Sequence, residues 1–387
     1  MPSTPSEPKK DIVIIGKFLF RLANEIASGA SGKAGGLVAD WATPNCLAPL
    51  SFKAHSELAE KHDGEKLWGY RRVFCAEVNL QAQKERESNL TAGATDSGHG
   101  YPPALDWIQP ASIQSYAEIG TPQNSAQVHP YLFTTTIFRL ALEAGARLIQ
   151  GSAAAINYSD DRKAIASVAY TPKGSATTTT IPATDVLIAA GPWTPKIFPR
   201  AQLLTPRGHS IVVKPTASIS PYVLFPNIAS PPEDSSSWPF VSPELYPRPA
   251  DPLFDADTIY SASGDDYEAP LPRGTADVVV DERRCADVWK VIRSVVDPQV
   301  SGGEVITQQA CYKPQIRQHE DGEEVGPIVG AVPSVKGLWL ATGHDEWGIS
   351  NAAGTGVVVS EMVFEGRARS ADCEALDPRH FLKGEDE

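Results

Sequence analysis

The sequence is poor in cysteine, and its cysteines are scattered. Cys46, Cys75, Cys285, Cys311 and Cys373 are odd in number and no two stand at CxxC spacing. That argues against a disulfide framework and a zinc site and suits a reducing compartment. The sequence also lacks any apolar run approaching the ~20 residues that span a bilayer. Its opening, MPSTPSEPKK, is polar, and the Ile12–Ile15 run behind it is too short for a signal-peptide core. The closing GEDE is not the SKL-type peroxisomal address. A soluble cytoplasmic chain without a membrane span is the expectation. Basic residues are outnumbered, 34 Lys and Arg against 47 Asp and Glu, for a net charge of -13. Phosphate neutralisation needs clustered Lys and Arg, so no nucleic-acid partner is expected. No repeat of ~20–50 residues is present, which argues against a solenoid or propeller.

What the sequence does hold is ordinary globular material. Its 387 residues are 42% hydrophobic and 21% charged, too apolar for wholesale disorder and long enough for a sizeable core in two or three domains. Ile12–Gly16, four β-branched residues closed by glycine, reads as a buried parallel strand. Ser51 to Lys66 reads as a helix with Ser51 as its N-cap and Gly64 near its end. Gln81 to Gly100 is polar and reads as an exposed loop. A helix over Phe133–Glu143 stops at Gly145, and strands are expected at Arg147–Gln150, Ala153–Tyr158, Ala164–Thr171 and from Asp185 towards Pro192. Eleven prolines between Pro221 and Pro272 exclude regular helix there; loop and edge strand on a domain surface are expected. Glu282–Val296 carries Cys285, Val288, Trp289, Ile292, Val295 and Val296 on one helical face. Strands at Val305–Tyr312 and Leu338–Thr342 follow, then a helix at about Gly356–Glu365. Strands and helices alternate at both ends around a Pro-rich centre, the pattern of an α/β nucleotide-binding domain interrupted by a second domain.

Three glycine-rich places invite a chemical reading. A dinucleotide fingerprint needs G-x-G-x-x-G directly after its strand. Gly16 is followed by Lys17-Phe-Leu-Phe-Arg-Leu-Ala-Asn24 and the next glycine is Gly29, so the fingerprint is absent and Gly16 reads as a plain strand-end glycine. The second place, Ala27-Ser-Gly-Ala-Ser-Gly-Lys-Ala-Gly-Gly36, fails the phosphate-loop pattern at Ala27 and Ala34. It is either a flexible loop or a nest of backbone donors for an anion. The third runs from Leu338 through Gly343, His344 and Trp347 to Gly356, where a strand, a Gly-rich turn and a helix start suit either an anionic ligand or a structural turn.

Taken together these pieces resemble the FAD-dependent D-amino acid oxidase, glycine oxidase and sarcosine oxidase family, in particular its fungal members. They are the Ile12–Gly16 strand, "ASGASGKAGGL" at Ala27–Leu37, "LIAAGPWTPKIFP" at Leu187–Pro199, "GDDYEAPLP" at Gly264–Pro272, "ACYKP" at Ala310–Pro314, "GPIVGAVP" at Gly326–Pro333 and "GLWLATGHDEWGISNAAGTG" at Gly337–Gly356. The resemblance implies FAD bound across a Rossmann-like domain and oxidation of a C–N bond by hydride transfer. It places Gly16 and the loop residues Ser28, Gly29, Ser31, Gly32, Lys33, Gly35 and Gly36 along the pyrophosphate and flavin. Gly191 and Trp193 fall beside the adenosine half. Gly343, His344, Gly348, Gly354, Thr355 and Gly356 face the flavin, and a side chain at Gly356 is expected to crowd the ring. Lys313 stands where relatives carry an Arg that grips a substrate carboxylate, a point charge in place of a fork; a solvated strand lysine is the alternative. Cys311 lies where sarcosine oxidases attach FAD covalently, or is a packing thiol. His344 could serve as a base, though a flavin contact is preferred. His209 and Trp347 could wall the substrate cavity or merely pack.

The departures matter as much. Relatives place G-x-x-G, a helix and a second strand ending in Glu before the loop; here roughly thirty residues of that pattern are missing, counted against the usual strand-to-carboxylate spacing. The ribose-binding carboxylate would fall near Leu22, which cannot accept a hydrogen bond, and Glu25 is out of register. The missing helix is expected to uncover the sheet beside Ile12–Ile15. The expected fold is therefore α/β. A Rossmann-like FAD-binding domain with a truncated first βαβ unit covers 11–60, 125–200 and 330–382. An inserted β-rich substrate domain covers 61–124 and 201–329, and disordered tails lie at 1–10 and 383–387. The expected function is FAD-dependent oxidation of an amine or amino-acid-like small molecule, with no metal; the alternative is an inactive scaffold that kept the fold.

Overall fold

A computed structural model describes residues 10–16, 26–83, 100–231, 238–239, 241–316 and 326–382. The opening strand, Ile12–Gly16, pairs in parallel with Asp185–Ala189, which pairs in parallel with Leu338–Thr342; Ile328–Ala331 closes the sheet antiparallel. Ile15, Val186, Ile188, Leu338 and Leu340 are fully buried and form its core. At about 1.5–3 kcal/mol for each side chain taken from water, such a row holds the three parallel strands together.

The first strand is nevertheless not buried on both faces as expected. Ile12 and Ile14 are 37% and 62% exposed, and the strand forms the edge of the sheet among the described residues. The strand expected at Arg147–Gln150 is absent too; the segment is irregular and exposed. An extended segment needs a ladder to satisfy its backbone groups. Among the described residues Ile12–Gly16 has Asp185–Ala189 as its one partner in this sheet, and no further strand offers Arg147–Gln150 a place.

The second layer is a seven-stranded sheet. Its spatial order is Glu304–Tyr312, Arg207–Lys214, Ala256–Asp266, Glu244–Asp251, Tyr222–Ala229, Phe74–Gln81 and Ile113–Gly120. Here the Pro-rich stretch departs from expectation: it supplies three interior strands, not surface loop and edge. Pro226, Pro247 and Pro249 have no N–H to give. The sheet tolerates them because Tyr222–Ala229 and Glu244–Asp251 meet at a single registered pair, Leu224 with Leu245, while Tyr222–Ala229 runs in full parallel register with Phe74–Gln81. The amphipathic helix forms at Glu282–Arg293. Asp281 caps it by accepting the N–H groups of Arg283 and Arg284, and Cys285, Val288, Val291 and Ile292 are buried against the sheet.

Three helices begin earlier than local signals suggest. Pro130–Glu143 starts three residues before Phe133 and ends towards Gly145, whose φ of 99° fits a left-handed terminus. Ala48–Lys61 starts ahead of Ser51, and a separate short helix, Gly64–Trp68, follows Asp63 in left-handed conformation. Gly348–Glu365 starts eight residues before Gly356. Packing overrides the low helix propensity of glycine there. A Cβ on Gly354 would lie 2.9–3.0 Å from Ser51, so the glycine lets the two helices touch. Ser51 is no N-cap; its hydroxyl donates to the Ser350 carbonyl and accepts the Gly354 N–H.

Residues 84–99, most of the loop expected at Gln81–Gly100, lie outside the described residues, as do the tails 1–9 and 383–387. Cys46 and Cys373, far apart in sequence, are neighbours: their thiols share a hydrogen bond that draws the Cys46 pKa down to about 7. No helix among the described residues is long and apolar enough to cross a membrane. None of their His, Cys, Asp or Glu side chains form a group of three or more placed to hold a metal ion.

Candidate active site

The Ala27–Gly36 loop leaves Ala27 in left-handed conformation, makes one helical turn at Ala30–Lys33, and lies against the seven-stranded sheet. Its carbonyls are spent on the protein. Gly29 accepts from Gly32 N–H at 3.0 Å and Ser31 from the Thr134 hydroxyl at 2.9 Å. Lys33 accepts from the Tyr260 hydroxyl at 2.9 Å, Gly36 from Val128 N–H at 2.9 Å, and Ala34 and Gly35 both from the Arg248 guanidinium at 3.0 and 2.9 Å. These bonds hold the loop's backbone against the protein. Close packing demands three of its glycines: a Cβ on Gly32 would sit 1.8 Å from the Ala27 carbonyl. A Cβ on Gly36, at φ 96°, would sit 2.0 Å from the Val128 carbonyl, and one on Gly35 would strike the Tyr246 ring at 2.7 Å.

The loop separates two cavities. One, of about 390 Å³, is lined by Ser28, Gly32, Lys33, His129, Arg248 and Gln309 among others. The second, of about 310 Å³, lies between Gly35, Gly36 and Leu37 on one side and the sheet on the other. Lys33, Cys311 and Lys313 also line it, as do His209 and Trp347. Of the residues singled out in the sequence, these are the ones brought together. Lys33 donates to the Ala310 carbonyl at 3.0 Å, and burial lowers its pKa. His209 accepts the Asp281 N–H through Nε2 at 3.0 Å; burial, then Arg207 and Arg284, lower its pKa to about 4, so the ring is neutral. Trp347 stands edge-on to Trp41 at 5.9 Å.

Lys313 is not a free cation. Its ammonium lies 2.6 Å from Glu346, 2.8 Å from Asp265 and 3.9 Å from Asp345. Burial pulls its pKa down, but Glu346 and Asp265 override burial and the pKa is raised. Across the same cavity burial lifts the Glu244 pKa to about 7, and Glu346 adds to the rise; the Tyr246 hydroxyl, donating to Glu244 at 2.6 Å, opposes it. Glu244, Tyr246, Tyr260, Asp265 and Glu346, which line this cavity, and the loop-holding Arg248 are residues that sequence reasoning missed. All but Glu346 stand in the Pro-rich stretch, where alternating aromatic and charged residues were the one signal; Glu346 follows His344 and Asp345 in the third glycine-rich place.

The other expected residues lie elsewhere. Gly16 ends the first strand. Ser28 and Thr275 share a hydrogen bond of 2.9 Å between their hydroxyls. Gly191, at φ 54°, starts a short turn in which the Trp193 indole donates to the Pro272 carbonyl at 2.9 Å. Gly343 holds φ 78° at the end of the Leu338–Thr342 strand. His344 lines neither cavity; burial lowers its pKa to about 4, and its Nδ1 is buried with no hydrogen-bond partner. Gly348, Gly354, Thr355 and Gly356 all belong to the last helix, so the turn expected around Gly354–Gly356 is corrected to helix. Thr355 donates back to the Asn351 carbonyl at 2.8 Å. A Cβ added at Gly356 meets no protein atom within 4 Å.

A family model described as FAD dependent oxidoreductase (DAO) matches residues 22–362. TDA3 of Saccharomyces cerevisiae, provisionally named an oxidoreductase, is 25% identical over 522 aligned positions, covering 98% of this chain and 96% of the yeast protein. That alignment is longer than the chain, so the yeast protein carries segments without a counterpart here. A Schizosaccharomyces pombe protein, also provisionally named an oxidoreductase, is 29% identical and covers 92% of this chain and 89% of its own. The crystal structure of glycine oxidase from Geobacillus kaustophilus superposes with a TM-score of 0.63 at 18% identity, covering 95% of this chain and 98% of that one; it speaks for the fold.

The residues present fit the flavin end of FAD. The Lys33–Gly36 carbonyls are held by protein donors, the His344 Nδ1 is buried without a partner, and the Gly348–Glu365 helix starts just after the strand end. The adenosine end is not formed in the same way: among the described residues no strand lies beyond Ile12–Gly16 to carry a ribose-binding carboxylate, and residues 17–25, with Leu22 and Glu25, lie outside them.

Proposed function

Because the chain belongs to the DAO family of FAD-dependent oxidoreductases, we propose that it oxidises the C–N bond of an amine or amino-acid-like substrate in the 310 Å³ cavity. The observation that carries this reading is Glu244, a carboxyl held near pKa 7 by burial, facing the glycine loop across that cavity. An alkylammonium must lose a proton before the neighbouring C–H bond can leave as hydride. Glu244 is poised to take that proton near neutral pH. FAD, when bound, supplies the two-electron hydride acceptor, and the imine left behind is hydrolysed by water. The chain does the rest. Tyr246 and Tyr260 wall the cavity from solvent, Arg248 and Tyr260 hold the loop, and Gly35 and Gly36 let its backbone come close. The missing first βαβ turn weakens the grip on FAD in this reading.

The test is a panel of amines and amino acids added without oxygen to FAD-loaded protein, followed by visible absorbance. Bleaching by at least one class is expected, with Glu244→Gln slowing it and removing its acid limb. If no member bleaches the flavin, the oxidase reading fails in favour of an inactive scaffold, the alternative that the exposed Ile12 and Ile14 favour.

A further inference from the structure

The cavity has the wrong charge for an amino acid. An acidic wall would leave a substrate carboxylate next to Asp265, Glu346 and Asp345, and the one cation aimed at it, Lys313, is already shared among all three. Counting side chains that line the cavity, Lys33 and Lys313 face Glu244, Asp265, Asp345 and Glu346, an excess of negative charge in a partly enclosed space where water screens poorly. Burial raises the Asp345 pKa against the pull of Lys313, and burial with Glu346 raises that of Glu244. Burial is the first cause of both rises, and a cation placed beside these carboxyls would favour their charged form. Acceptor capacity is also left over: Asp345 Oδ1 and the Ser263 hydroxyl are buried without a hydrogen-bond partner at this wall.

The rest of the lining suits a cation equally well. Phe225, Tyr246 and Tyr260 form a run of edge-to-face rings at 6.2 and 5.8 Å, and Trp347 closes the opposite side. Tyr260 already carries the Arg248 guanidinium at 5.1 Å from its ring centre, so these rings accept cations in this setting. Aromatic faces beside carboxylates are how proteins recognise ammonium groups.

Resting on the amine-oxidising reading above, we propose that the substrate is a diamine or polyamine without a carboxylate: one nitrogen is oxidised near Glu244, and a second, charged nitrogen is held at the Asp265–Glu346–Asp345 corner. Lys313 then holds the corner together in the absence of substrate and competes with the second nitrogen when it arrives.

Three probes of equal chain length separate the charges: putrescine, n-butylamine and 4-aminobutanoate, whose far ends are cationic, neutral and anionic. Their affinities are measured by calorimetry on FAD-saturated protein, independently of turnover. Putrescine is expected to bind about tenfold tighter than n-butylamine, and 4-aminobutanoate at least tenfold weaker, with the putrescine advantage shrinking as salt is raised. Glu346→Gln and Asp265→Asn should each remove most of that advantage, weakening putrescine far more than n-butylamine, while Lys313→Met should tighten putrescine. Equal binding of the three probes, no binding of any, or tightest binding of 4-aminobutanoate lost in Lys313→Met would each overturn the proposal. Amino acids that bleach the flavin while diamines do not would sink the charge assignment and spare the oxidase. Charge-dependent putrescine binding with no bleaching by any substrate would do the reverse.

Discussion

On the cavity side of the Ala27–Gly36 loop, four consecutive carbonyls from Lys33 to Gly36 are held by named donors, and aromatic rings fill the space behind them. At the other end of the molecule the parallel sheet stops at Ile12–Gly16, with Ile14 62% exposed. The loop is thus tied down on the cavity side, while among the described residues no strand continues the parallel sheet beyond Ile12–Gly16. The contrast teaches that the loop takes its shape largely from side chains of the seven-stranded sheet, Arg248 and Tyr260. The seven-stranded sheet has its own core around Leu224, Leu245 and Ile259.

The contrast can be broken at its strongest point by Arg248→Ala. The side chain is 5% exposed, binds two loop carbonyls and stands beside the buried Asp251 carboxylate. Removing it should cost about 3–5 kcal/mol in denaturant unfolding, because a buried acid loses its counter-charge along with the loop bonds. A loss under about 1 kcal/mol would mean that the loop holds itself.

The bare edge is tested from the opposite direction. The chain as it stands should bind FAD roughly a hundredfold or more weakly than a version carrying a relative's segment between Gly16 and Ala27, since several backbone bonds and the ribose carboxylate are restored together. Flavin retained through gel filtration reads the difference. A stoichiometrically yellow protein without the graft would show the edge to be complete.

The acidic wall predicts a pH signature. The Glu244 pKa is about 7 in the folded chain against an ordinary 4.5, so its protonated form favours folding. That contribution is fully present below pH 4.5 and is lost as pH rises through 7. Glu244→Gln, which keeps an acceptor for the Tyr246 hydroxyl, should therefore stabilise the protein on the order of 2–3 kcal/mol at pH above 7 and little at low pH. Thermal melts across that range check it; a gain independent of pH would place Glu244 in a wetter setting.

The smallest effects sharpen the comparison between glycines. Gly36→Ala should cost about 1–3 kcal/mol, since the residue combines positive φ with contact against Val128. Gly356→Ala, on an exposed helical face with open space around it, should be neutral or gain up to about 1 kcal/mol. Melting temperatures of the two variants measure the contrast directly.

Much of the scaffold was readable from local patterns. The β-branched run of Ile12–Ile15, the alternation in Leu338–Thr342 and the one-sided apolar face of Glu282–Arg293 each carry their periodicity in neighbouring residues, and all three elements form. The Pro-rich strands were not readable. Proline removes donors in any sequence context, and only the offset between Tyr222–Ala229 and Glu244–Asp251 makes room for that loss. Helix starts at Ala48 and Gly348 escaped for a similar reason: the Ser51–Gly354 contact that stabilises them joins residues far apart in the chain.

The site divides along the same line. Glycine spacing and the family pattern pointed to the Ala27–Gly36 loop and to Lys313, because a close backbone approach and a basic residue are properties of single positions. Whether that lysine faces a substrate or three carboxylates depends on Asp265 and Glu346 arriving from other segments, as do the burial that lifts Glu244 and the helix that claims Gly356. Charge balance and burial are properties of a neighbourhood, and the neighbourhood exists only once the sheets have packed.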